Sequence, residues 1–395
     1  MSKQPSIDAL AAAYLTGEGW TQEAIARRLD CSQPTVSRLV AAAERAGHLR
    51  REAFWVSGDL DDATLHAVRT RAGRQQLREA LETIQRTRVP NLPLPTVAVF
   101  PSGSRDDSKD AYRERLKRFG TAAGAELLKI LNRARVCGVC WGKSVAASVQ
   151  GVDLAVSRRA GERRPVTFIP ICGEQVGIQP PKVSASMLAS QLSEIWNNDR
   201  RAARSLMGIP AFVPSKLGPD GAEAVWKYVR SIPSYQDVFG GGAERPSQRG
   251  LIHRMDTVLV SVSLPGVAFG LGYGKQFRDM AGVDGKRLSQ LVGADIGGAL
   301  IPKPTLSATD VEELAQVSSR WTGIQLRQLQ QCAEAARKNP KLPGVVVIAI
   351  GASKAETVRR VLLDYRLVNH LICDDDLEER LIALLGNPTE PARAA

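Results

Sequence analysis

Residues Cys137–Val145 read CGVCWGKSV, and two short motifs overlap in them. Cys137 and Cys140 form a C-x-x-C pair, and Gly142, Lys143 and Ser144 form a Gly-Lys-Ser turn. The run ending at Gly142 (ARVCGVCWG from Ala134) is apolar enough for a buried strand. Side chains alternate faces along a strand, so positions three apart point to opposite sides. The two thiols are therefore expected neither to close a disulfide nor to share a metal. A P-loop requires G-x-x-x-x-G-K-[ST], and the position five before Gly142 is Cys137. That argues against a nucleotide hydrolase. What remains is strand, Gly, Lys, Ser, helix: helix-start N–H groups beside a hydroxyl and an ammonium, able to hold a phosphate without cleaving it. The same spacing also suits a plain strand–helix turn.

Outward from this unit, similar apolar runs alternate with helical stretches. TVAVFPSG (Thr96–Gly103), RPVTFIPICG (Arg164–Gly173), MDTVLVSVS (Met255–Ser263), GVVVIAIG (Gly344–Gly351) and NHLICDDD (Asn369–Asp376) read as strands. Buried strands separated by helices predict an α/β domain with a mostly parallel sheet covered on both faces. Ligands of such sheets bind at the carboxyl ends of the strands. A second loop of similar chemistry lies in AIGASKAETVRRVL, which places Gly351, Ser353 and Lys354 between a strand and a helix.

Toward the N-terminus the stretch TQEAIARRLDCSQPTVSRLVAAAERAGHL (Thr21–Leu49) has a different grammar. Thr21 is placed to cap one short helix, with Ala24, Ile25 and Leu29 on its apolar face. Asp30 and Cys31 turn the chain, Ser32 caps a second helix, and Pro34 suits its first turn. Val36, Leu39, Val40 and Ala43 form the second stripe, and Gly47 suits the stop. This is the layout of a helix-turn-helix, with Gln33, Thr35, Ser37 and Arg38 on the outer face of the second helix. Gln can read adenine and Arg guanine by paired hydrogen bonds, while Thr21 and Ser32 stand at helix starts that suit phosphate. Between Gln33 and Arg51 four arginines face one glutamate.

The connector LDDATLHAVRTRAGRQQLREALETIQRTR (Leu60–Arg88) carries two partial stripes, Leu65, Val68, Ala72 and Leu77, Leu81, Ile84, either side of Gly73. VPNLPLP (Val89–Pro95) ends any helix. The stripes either pair two subunits or pack on their own domain, and the sequence leaves both open. Three regions are thus expected: a DNA-binding helix-turn-helix segment over 1–57, a linker helix over 58–92 that is a candidate for oligomerisation, and an effector-binding domain over 93–388. The six scattered cysteines are no disulfide framework. The chain has 44% hydrophobic and 24% charged residues, with no run of membrane-span length and no signal-peptide layout at its start, so a soluble cytoplasmic protein is the expectation. The net charge of +12 favours anionic partners.

These motifs, in this order, resemble the SorC-type sugar-responsive transcriptional regulators of bacteria over nearly the whole chain. CGVCWGKSV is similar to that family's G-V-S-W-G-R-T-L loop, LSQLVGADIGGALI (Leu288–Ile301) to its A-G-A-V-G-D-I-x-G segment, and the stretch from Val345 to Ile382 to its closing strand, turn and helix. The resemblance implies a Rossmann-like domain related to sugar-phosphate isomerases that binds an effector, commonly a phosphorylated sugar, and does no chemistry. It implies a homo-oligomer, dimer or tetramer, operator DNA as partner, and no cofactor or metal. By position it would place Cys140, Gly142, Lys143 and Ser144 around a phosphate, Gly173 near the sugar, Asp295 on sugar hydroxyls and Lys354 on the phosphate. The sequence departs from the family at VSVSLPG (Val260–Gly266), at Glu174 after Gly173, and at an added loop, GGGAERPSQRG (Gly240–Gly250).

Two other readings compete. A sugar-phosphate isomerase or deaminase with a fused DNA-binding segment would need a general base, for which Asp295 is the one nominee. A domain that only assembles subunits would take no ligand at all.

Overall fold

The computed structural model describes residues 5–17, 20–49, 76–100, 109–157, 163–174, 184–199, 203–240, 249–263 and 285–386. Three helices open the chain: α1 (Ile7–Gly17), α2 (Gln22–Arg28) and α3 (Gln33–Arg45). Their core is small and aliphatic, with Leu10, Leu15, Ile25, Leu29 and Val36 each no more than 2% exposed. Helix α1 was not legible in the capping pattern, yet its alanine-rich face closes this core against α3. Ala26, rather than Ala24, is the second buried residue of α2, and Ala24 is half-buried.

The remaining elements run α4 (Gln76–Thr87), β1 (Thr96–Phe100), α5 (Lys109–Leu131), β2 (Val136–Val139), α6 (Lys143–Ser157), β3 (Thr167–Pro170) and α7 (Ala185–Asn197). They continue through α8 (Gly218–Ser231), α9 (Pro233–Phe239), β4 (Thr257–Val260), β5 (Val262–Ser263), α10 (Gly285–Leu291), β6 (Val292–Ile296), β7 (Ala299–Pro302), α11 (Ala308–Ser318) and α12 (Leu326–Lys338). β8 (Gly344–Ala349), α13 (Ala355–Leu363), β9 (His370–Asp374) and α14 (Asp375–Gly386) close the fold.

Six strands form one sheet in the order β1-β9-β8-β4-β2-β3, every pair parallel. All six are the runs read from the sequence. Val346 and Ile348 face a layer built by α5, α6 and α7, whereas Val345, Val347 and Ala349 face α4, α12, α13 and α14. Each such valine or isoleucine contributes about 1.5–3 kcal/mol on burial, which is why a strand buried on both faces shows no polar alternation. The two cysteines of the opening motif divide in the same way: Cys137 lies in the first layer and Cys140 in the second, and both are fully buried thiols.

Two features fix the geometry further. Helices α5 and α6 cross on glycine: a Cβ on Gly124 would stand 2.0 Å from the Gly151 carbonyl carbon, and one on Gly120 2.2 Å from the Ala147 carbonyl oxygen. Strands β5, β6 and β7 form a separate antiparallel sheet, whose tight turn needs Gly297 and Gly298 at φ +61° and +89°. Of the connector, Leu77, Leu81 and Ile84 on α4 are buried in the large core beside α14. Leu65, Val68, Ala72 and Gly73 lie outside the described residues, as does most of the Gly240–Gly250 loop.

Candidate functional site

Strand connections reverse direction between β2 and β4: β2 leads to the edge strand β3, while β4 lies on the side of β8. A crevice outside the carboxyl ends at such a point is where open α/β sheets take ligands. Three turns of this chain meet there. The turn after β2 delivers Gly142 at φ +145°, followed by Lys143 and Ser144 as the first residues of α6. The residue after β4 is Ser261, and the turn after β8 runs from Gly351 (φ +92°) to Lys354.

Their polar groups form a chain. Lys354 Nζ donates to Ser261 Oγ at 3.2 Å, and Ser261 Oγ lies 3.2 Å from Ser144 Oγ. The Ser144 hydroxyl donates to the Ile348 carbonyl at 2.8 Å, which ties the β2 turn to β8. A Cβ on Gly142 would come within 3.2 Å of the Ser261 Cβ, so glycine leaves that approach open. Lys143 is exposed, with its ammonium 5.4 Å from the centre of the Tyr112 ring. Desolvation draws the Lys354 pKa down to about 8; Lys143 pushes the same way, and Asp374 and Asp295 oppose it. Two ammonium groups thus stand near enough at these turns to repel each other.

Asp295 lies 2% exposed on β6, and its Oδ1 accepts the Gly298 N–H at 2.9 Å. Cys140 Sγ stands close to the same turn, 3.5 Å from where a Gly297 Cβ would be. Cys172, two residues after β3, lies beside Cys140, and burial raises its thiol well above the usual range. Trp141 and Trp321 meet edge to face at 5.6 Å on this side. Gly173 is packed rather than open: a Cβ there would stand 2.7 Å from the Ile209 and Pro210 carbonyl oxygens. Lys143, Ser144 and Lys354 thus gather with Ser261, Asp295 and Cys140 flank them, and Gly173 packs instead against Ile209, Pro210 and Thr322. Sequence reasoning missed Ser261 and Tyr112. Ser261 stands in the departing VSVSLPG segment, directly after a strand, which was the available signal. Leu264, Pro265 and Gly266 of that segment lie outside the described residues.

At the other end of the chain, Thr21 Oγ1 accepts the Ala24 N–H at 3.2 Å and Ser32 Oγ accepts the Thr35 N–H at 3.4 Å. Asp30 makes the turn at φ +53°. Gln33, Ser37 and Arg38 are exposed along α3, and Thr35 is half-buried. The Arg38 guanidinium folds back on Thr35 Oγ1 at 3.2 Å and on the Pro34 carbonyl at 3.4 Å.

Residues 7–49 match the family model of a homeodomain-like domain. No curated protein matches the sequence. Among solved structures, the chain is similar to the full-length sorbitol operon regulator SorC of Klebsiella pneumoniae, with 18% identity and a TM-score of 0.51 over 95% of this chain and 98% of that one. A probable sor operon regulator from Shigella flexneri aligns at 16% identity and TM-score 0.51, over 78% of this chain and 99% of its own. A transcriptional regulator from Streptococcus pneumoniae aligns at 18% identity and TM-score 0.50, over 79% and 99%. The fold is therefore that of the SorC regulator, as the motif resemblance implied: a helix-turn-helix segment joined to a larger parallel-sheet domain.

Proposed function

We propose that this protein is a DNA-binding transcriptional regulator whose sheet-end crevice takes a small phosphorylated sugar or related metabolite as effector. The observation that carries the effector half is the Lys354–Ser261–Ser144 chain with Lys143 beside it, at the switch point of the sheet. Phosphate needs ammonium groups and hydroxyl or N–H donors, and the crevice offers both. Asp295 and the two tryptophans then face the rest of the ligand, the carboxylate suiting sugar hydroxyls. The DNA half rests on α3, whose Gln33, Thr35, Ser37 and Arg38 would enter the major groove, with Thr21 and Ser32 at the phosphates. The SorC likeness supports both halves, and a homo-oligomer matching a two-fold operator follows from the same reading.

Binding without turnover is the better reading of the crevice. The nominee base Asp295 is engaged by its own hairpin turn; of the described histidines, His48 lies in the helix-turn-helix segment and His253 and His370 stand at the amino ends of β4 and β9.

The test is fluorescence anisotropy of labelled DNA from upstream of the protein's own gene, at fixed salt, with a panel of sugars and sugar phosphates. One phosphorylated compound should change the affinity while its unphosphorylated form does not. Arg38→Ala and Gln33→Ala should each weaken DNA binding by about tenfold and leave ligand affinity intact, as expected for a lost bidentate base contact. Normal DNA binding by both variants would refute the assignment of α3. Turnover of a sugar phosphate, lost in Asp295→Asn, would refute the reading as a pure binding site.

A further inference from the structure

The turn that carries Lys354 is held by a segment that also touches the helix-turn-helix. Asp374, the last residue of β9, accepts the Gly351 N–H at 2.9 Å, and Asp376 accepts the Ala352 N–H at 3.0 Å. The Arg115 guanidinium on α5 pairs with both carboxylates, at 3.1 and 3.3 Å. Asp374 also accepts the Leu377 N–H at 3.1 Å, which locks the first turn of α14 onto the strand end. On that same turn Glu378, 2% exposed at its side chain, pairs with Arg28 of α2 at 3.4 Å. Arg28 in turn lies 5.5 Å from the Trp20 ring centre, inside the three-helix unit.

One helical turn therefore has a foot on each part of the molecule. We propose that the segment Asp374–Glu378 couples occupancy of the Lys354 turn to the placement of the helix-turn-helix, with the Arg28–Glu378 pair as its output; this rests on the reading of the Lys354 turn as an anion site. The two states differ in named contacts. Without an anion, the carboxylates of Asp374 and Asp376 hold the Gly351 and Ala352 N–H groups. A phosphate in the turn competes for those same N–H groups and repels the two carboxylates, so the state with the segment displaced binds the phosphate more tightly. A ligand shifts an equilibrium only through such a differential contact. Glu378 belongs to the same locked turn, so its ion pair with Arg28 moves with the displacement.

Hydrogen exchange on the full chain tests this with Asp376→Asn, Glu378→Gln and the double variant. Asp376 is 21% exposed at its side chain, and both changes keep side-chain shape. Asp376→Asn should speed exchange in the Gly351–Lys354 turn and also, by about fivefold, in residues 22–45, a typical size for coupling between sites. In the double variant the effect of Asp376→Asn on residues 22–45 should vanish. If the two substitutions act on residues 22–45 independently, or Asp376→Asn leaves those residues unchanged, the coupling is overturned. Inorganic phosphate gives the second arm: it should slow exchange in the turn of wild type and Glu378→Gln alike, and alter residues 22–45 only in wild type. An equal response of residues 22–45 in both also overturns the coupling, with the anion site intact. No protection of the turn by phosphate, with a non-additive cycle, upholds the coupling and sinks the anion reading instead.

Discussion

Lys354 concentrates the chemistry of the crevice in one side chain. Its pKa, drawn down to about 8 by desolvation, lies below the free value, so the folded protein prefers it neutral. The sign follows: this preference contributes stability above the unfolded pKa of a lysine, about 10.4, and that contribution is lost as pH falls through about 8. At pH 7 the charged group is a cost on the empty protein. Lys354→Met should therefore raise its stability by roughly 3 kcal/mol, since each tenfold weakening of proton binding corresponds to about 1.4 kcal/mol. Denaturant unfolding of the ligand-free protein measures the gain. The same substitution should abolish binding of a phosphorylated ligand, read by calorimetry. In the wild type that affinity should fall as pH rises through about 8, because the ammonium is then lost; a flat profile to about pH 9 would remove Lys354 from the contact set. The Gly-Ser-Lys loop was legible because a strand precedes it and a helix follows. Ser261 was not, since a lone serine after a strand has no signature until the neighbouring strand is known. The Cys140–Cys172 contact is invisible for the same reason: strand order decides it, and only C-x-x-C neighbours are adjacent in the sequence.

At the scale of elements, the period-free valine and isoleucine runs identified all six parallel strands, because burial on both faces leaves no other pattern. The hairpin of β6 and β7 was harder. Its strands of five and four residues are joined by the Gly297–Gly298 turn and follow α10 without a break, so no polar stretch sets them off. For the connector, an apolar stripe alone is compatible with either pairing or packing. The burial of Leu77, Leu81 and Ile84 beside α14 places that stripe inside the chain's own core. The glycine crossing of α5 and α6 makes a sharp prediction. Gly124→Val drives a branched side chain into the Gly151 backbone and should destabilise the fold by about 1–3 kcal/mol or more, a cost typical of overpacking. Denaturant unfolding measures it; a neutral result would mean that the helices can part without loss.

For the whole molecule, the charge of +12 says little about fold and much about association. If α3 and the helix starts at Thr21 and Ser32 meet a duplex, binding should weaken steeply with salt, with log affinity falling by about 0.9 per log unit of salt for each phosphate neutralised. A titration from low to moderate salt that shows no slope would place the basic charge elsewhere. Among the described residues no helix is long and apolar enough to cross a membrane. The helix-turn-helix and the parallel sheet were readable because capping grammar and strand grammar occupy separate stretches; the contact between Arg28 and Glu378 was not, since 350 positions separate the two. The crossing at Gly120, Gly124 and Gly151 has one more consequence. It brings the α5 and α6 backbones into direct approach, so Tyr112 and Arg115 on one and Lys143 and Ser144 on the other should move together. If the proposed effector enters there, the Lys354 turn is the part left to move around it.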